Sequence, residues 1–304
     1  MKIIRPETVT DSIFQSSTVP EADEAEWLSG TTYHVDDLVM VTTTANGAAT
    51  ATHKIYSSVH SQAGNDPTVD DGTNWAEVSS TNRWKLFNAI VQEQTENAGG
   101  MEYVLQSPAV INSLALINVD TASVTVEVVD SVEGTVYDET FSLVSSSGIQ
   151  DWYAYFFEPI VRDDRLAILD LPPYANADIT VTFTDTGTAK CGALIIGQFA
   201  DLGFSQHGAN YSIIDYSVKA TDSQGRVTIT EGPYANKLDV DVVLNTSAFG
   251  VTRSTLTDLR TTPVVWVAEE DNRDSIVYGY YREFDIILSN PTTSRCSLEI
   301  EGLV

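Results

Sequence analysis

Among the residue types that carry chemistry, this chain of 304 residues has four histidines and 43 carboxylates. His34, His53 and His60 lie close enough in sequence to suggest a metal centre. Their spacing matches none of the patterns in which zinc gathers histidine and cysteine, and the nearby Asp36 and Asp37 read as a strand-end turn. No metal and no cofactor are expected. His207 follows Ser205 in Gly203-Phe204-Ser205-Gln206-His207-Gly208, but a serine and a histidine two apart on one segment do not make a triad. That phrase reads as a flexible interdomain loop.

The acidic pairs Asp70-Asp71 and Asp163-Asp164 and the run Glu269-Glu270-Asp271 have the hard oxygen ligands that calcium prefers. Neighbours on a strand point to opposite faces, so each would need a loop to converge, and solvated loop charge is the simpler reading. Glycosidase carboxylates are brought together by the fold rather than by spacing. In a chain this acidic some pair always looks suitable, which lowers the weight of any one. No phosphate-binding glycine loop, zinc helix, nucleophile elbow or paired Cys-x-x-Cys occurs. The expected protein is not an enzyme.

Composition narrows the partners. With 43 acidic against 16 basic residues the formal charge is -27, and no basic stripe is available for phosphate or an anionic bilayer. Nucleic acid and membrane insertion are therefore not expected. The first residues lack an apolar signal core, and no run of about 18 apolar residues occurs. A soluble protein made in a reducing cytoplasm follows, with Cys191 and Cys296 as free thiols beside apolar runs.

The elements that would position any site are strands. Val124, Val126 and Val128 alternate with Thr125 and Glu127, and Ile179, Val181 and Phe183 with Thr180 and Thr182. The same period recurs at Val240, Val242 and Leu244, at Phe284, Ile286 and Leu288, and at Leu298 and Ile300. Turn clusters such as Asp222-Ser223-Gln224-Gly225 and Asp185-Thr186-Gly187 separate them. Only 83–91 and 254–259 suggest short helices. Polar stretches at 92–100 and 202–210 divide the chain into blocks 1–91, 101–201 and 209–304. The reading is an all-β protein: a small amino-terminal domain with an arm, then two β-sandwich or jelly-roll-like domains.

The amino-terminal block has a more specific order: Trp27, Tyr33, Asp37, Val39, Tyr56-Ser57-Ser58, Asn65-Asp66-Pro67 and Asn74-Trp75. It resembles the small chitin- and cellulose-binding modules of families 5 and 12, with Asp36 in place of their glycine and a longer loop over 42–54. The resemblance implies a carbohydrate-binding domain with Trp27, Tyr33, Tyr56 and Trp75 as candidate sugar-stacking faces, although a domain this small also needs aromatics for its core. The junction Ser80-Thr81-Asn82-Arg83-Trp84-Lys85-Leu86-Phe87 and the β-rich blocks beyond it are similar to those of tailed-bacteriophage virion proteins. That resemblance implies a structural subunit of the virion, in the tail tip, baseplate or tail adaptor. Its expected partners are copies of itself in a ring, neighbouring virion proteins and host surface polysaccharide. A capsid decoration or head-fibre protein, and a polysaccharide-degrading enzyme with a binding module, are the alternatives.

Overall fold

Strands dominate the computed structural model, which describes residues 1–145, 151–157, 161–270, 272–288 and 290–304. About 51% of the chain is strand and 8% helix, in antiparallel sheets, so the all-β expectation holds. The alternating segments take the faces that their period requires. A five-stranded sheet runs in the order Gly134–Ser142, Ser123–Asp130, Asp178–Thr184, Met101–Gln106 and Phe14–Ser17. Its buried row includes Val124, Val126, Val128, Ile179, Val181 and Phe183. They pack on Leu114, Leu116, Leu194 and Ile196 of a second, larger sheet. On the outer side Thr125 and Thr140 share a hydroxyl hydrogen bond of 2.8 Å.

The larger sheet has eleven strands and crosses both proposed domain boundaries. Its main path is Arg165–Ile168, Ser113–Asp120, Thr188–Asp201, Lys2–Pro6, Val264–Val267, Ile276–Ile287, Thr293–Gly302, Tyr234–Asn245 and Phe204–Ser205. Lys2–Pro6 sits between a strand of the middle block and a strand of the last block, pairing antiparallel with both. This arm is a central strand of the body. Gly197 permits the pairing: a Cβ there would lie 1.9 Å from the Arg5 carbonyl oxygen.

Six strands separate Arg165–Ile168 from Ile276–Ile287 inclusively, which in a flat sheet spans roughly 24 Å. The Arg165 Nη1 nevertheless donates to the Ile276 carbonyl at 2.9 Å, and Arg273 Nη1 reaches Asp163 Oδ2 at 2.6 Å. The sheet therefore curls back on itself. One face buries Ile4, Ala115, Ile117, Ala193, Ile195, Val265, Val267 and Ile276 in a common cluster. On the other face Ile3 and Trp266 begin a separate core, covered by Leu256 and Leu259 at the helix Phe249–Asp258. The last block is thus sheet and helix, where a second sandwich was expected from its alternating strands. The expected helix at 83–91 shrinks to a 3₁₀ turn, Lys85–Phe87.

Between Phe14–Ser17 and Thr95–Ala98 lies the amino-terminal domain, with the sheet Leu38–Val41, Lys54–Ser58 and Trp75–Ser80 and a two-stranded pair, Thr32–Tyr33 with Gln62–Ala63, while Val19, Leu86 and Val91 at its ends pack into the body's cores. Its two connections to the body touch: Arg83 Nε donates to the Val19 carbonyl at 2.7 Å, and the Asn82 amide to Asp23 Oδ2 at 3.1 Å. The domain is an insertion whose ends are held together.

Candidate functional site

The candidate sugar-stacking residues Trp27, Tyr33, Tyr56 and Trp75 are placed together, but as a core. Their exposures run from 1% to 8%, in one cluster with Val39, Val41 and Ala48. The Tyr33 and Trp75 rings meet edge to face at 5.2 Å, Trp75 Nε1 donates to the Asn65 carbonyl at 2.9 Å, and the Tyr33 hydroxyl accepts from the Leu28 amide at 2.8 Å. A ring that stacks on a pyranose must offer a free face, and these four do not. Their assignment as a glycan platform is corrected accordingly: in a domain with so little interior, large rings are the residues able to fill it.

Asp70 shows what the acidic loop does instead. Its Oδ2 accepts the backbone amides of Gly72, Asn74 and Trp75 at 2.9–3.0 Å, and its Oδ1 accepts Asn74 Nδ2 at 2.6 Å. Desolvation raises the Asp70 carboxyl, but the hydrogen bonds from Asn74, Trp75 and Gly72 outweigh it and hold the group below its ordinary range. The loop is folded around a carboxylate that aims Trp75 inward. Asp163 meets Arg273, Asp164 meets Arg165, and Glu270 meets Lys2. Asp271 lies outside the described residues.

Of the histidines, His34, His60 and His207 are exposed. Ser205 Oγ donates to the Ala268 carbonyl at 2.7 Å, and Phe204–Ser205 pairs with Val243 and Val242, so this segment is anchored rather than a free loop. His53 is different. Its Nδ1 lies 2.8 Å from Glu21 Oε1 and its Nε2 2.9 Å from Asp11 Oδ1, while the ring stacks on Trp84 at 4.2 Å. The Glu21 side chain is largely buried and also takes the Thr81 hydroxyl at 2.6 Å and Arg83 Nη1 at 3.3 Å. Burial opposes the imidazolium, yet the two carboxylates raise the His53 pKa above its ordinary value. While the ring is protonated, both of its nitrogens donate to carboxylates and neither offers a lone pair to a general base. Among the described residues no group of three or more His, Cys, Asp or Glu side chains is arranged to hold a metal ion.

A cleft of about 550 Å³ lies beside this junction, bounded by Val9 to Asp11, His53, Glu77 to Ser80 and Phe87. Two other features lie on the surface. Val218–Thr221 pairs with Val227–Thr230 as a ribbon that among the described residues joins no other sheet, and every residue of both strands is exposed. The short helix Trp152–Phe157 exposes Trp152, Tyr153, Phe156 and Phe157, with Tyr153 and Phe157 in ring contact at 5.0 Å. The Asp222-Gly225 turn signal located the ribbon's tip: Asp222 Oδ1 accepts the Gln224 and Arg226 amides, each at 2.8 Å. No sequence pattern marked its two uncovered faces. Nor does any family model, curated protein or solved structure match this chain.

Proposed function

We propose that the chain is a structural subunit of a tailed-phage particle, in the tail tip, baseplate or tail adaptor, assembling with copies of itself into a ring. The observation that carries the assembly role is the ribbon Val218–Thr221 with Val227–Thr230. An isolated two-stranded hairpin is marginal in water, and its open edges are templates for pairing. Val218, Val227 and Ile229 stand exposed on it, so a neighbouring subunit supplies the layer that this chain lacks. Ring closure requires a heterologous contact, in which ribbon and receiving surface differ.

The exposed aromatics of Trp152–Phe157 provide a second contact, toward another virion protein. The phage setting rests on the sequence resemblance of the amino-terminal domain and its junction. A non-catalytic role agrees with a His53 whose nitrogens are both engaged. Sugar contact through Trp27, Tyr33, Tyr56 and Trp75 forms no part of the reading, since those rings are interior.

Light scattering on the full chain tests the assembly role. The native chain is expected to form a closed species of several subunits at micromolar concentration. Replacing residues 219–229 by a two-residue turn is expected to leave a folded monomer. A native chain that stays monomeric to about 0.1 mM, well above the micromolar dissociation constant of an ordinary complex, overturns it.

A further inference from the structure

We infer that His53 is a proton-operated latch that fixes the amino-terminal domain against the body of the protein. The three groups of the latch come from different parts of the chain. Asp11 lies in the turn between Lys2–Pro6 and Phe14–Ser17, both strands of the body. Glu21 lies on the segment leading into the inserted domain, and His53 belongs to that domain, just before Lys54–Ser58. The other charged groups around it are Arg83, which pairs with Glu21, and Lys54, which pairs with Glu77 at 2.8 Å. Trp84 closes the remaining side by stacking.

The switching step follows from counting protons. An imidazolium has two N–H donors and satisfies Asp11 and Glu21 together. A neutral imidazole has one donor and one lone pair, so one carboxylate then faces a lone pair. Glu21 keeps the donor, because it is 7% exposed and a buried carboxylate cannot turn to water. Asp11 is 63% exposed, and hydration can replace its partner. Deprotonation therefore releases the Asp11 turn. That turn and His53 both border the 550 Å³ cleft, which widens as the domain swings on its two touching connections.

The direction follows from the raised pKa. The latch is fully closed below the ordinary imidazole value of 6.5 and is lost as pH rises through the elevated one. Burial raises the Glu21 carboxyl, but the hydrogen bonds from His53 and Thr81 outweigh it and hold it below its ordinary value, so Glu21 stays ionised while His53 titrates.

Spin labels at V69C, on the inserted domain, and V132C, on the body, report the swing in the full chain, both positions being exposed and the two native thiols buried. A narrow distance distribution at pH 6 is expected to broaden at pH 9, with the midpoint of the His53 ring titration followed by NMR. D11N is the decisive variant, since an amide can accept from an imidazolium or donate to a neutral ring; it is expected to stay narrow at both pH values. H53Q is expected to lose the pH dependence. A native distribution unchanged across the His53 titration overturns the latch, and so does a D11N chain that broadens as the native one does.

Discussion

Trp75 and Asp70 depend on each other. The ring fills the centre of the inserted domain, and the carboxylate holds the backbone that delivers it. W75A removes a buried aromatic from a small core and is expected to cost about 3–5 kcal/mol. Loss should appear as separate early melting of the inserted domain, with the sandwich transition unchanged, in differential scanning calorimetry. Asp70 sets a pH dependence of opposite sense to that of His53. Its folded pKa is depressed, so its contribution is present above the ordinary carboxyl range and lost as pH falls through the lowered value. D70N is therefore expected to lower the domain's melting temperature at neutral pH and to converge with the native chain in strong acid. Residue types at this scale were legible in advance: the aromatic order in 27–75 marks a compact domain. Which side of each ring meets solvent was not, because a core tryptophan and a binding tryptophan are spelled alike. Asp36 adds a backbone example, with φ of 66° in the left-handed region that glycine enters without a Cβ penalty.

At the scale of elements, the strand Lys2–Pro6 controls more than its length suggests. Among the described residues it is the only strand pairing with both Thr188–Asp201 and Val264–Val267, and Ile3 and Ile4 point into two different cores. G197A would press a Cβ against the Arg5 carbonyl, and about 3 kcal/mol of destabilisation is expected by denaturant titration. The expected block 1–91 includes the arm, which instead pairs with two strands of the body, and Leu86 and Val91, which pack into the body's cores. Deleting 1–87 removes two body strands and is expected to yield insoluble chain. Exchanging 24–79 for a short glycine-serine linker should leave the body folded, because Val19 and Arg83 already touch. Circular dichroism and melting of the two truncations distinguish these outcomes. Strand period was legible in 123–130 or 178–184 because half-buried strands alternate. The arm has no such signal, since Ile3 and Ile4 are buried on both faces and read as a short apolar run.

For the whole molecule, a charge of -27 sets a cost on bringing copies together. Self-association through an apolar ribbon should strengthen as salt rises from about 0.05 to about 0.5 M, since the screening length falls below 10 Å over that range. Sedimentation velocity at several salt concentrations checks this, and weakening with salt would point to an interface built on ion pairs. The sequence by itself determined the all-β class, because alternation writes the faces of strands locally and can be read without coordinates. Tertiary structure alone decided that an amino-terminal arm joins two halves of one sheet, that four aromatics turn inward, and that Asp11, Glu21 and His53 meet. Each of these is a contact between segments far apart in the chain. Local preference carries no information about such contacts until packing chooses one arrangement.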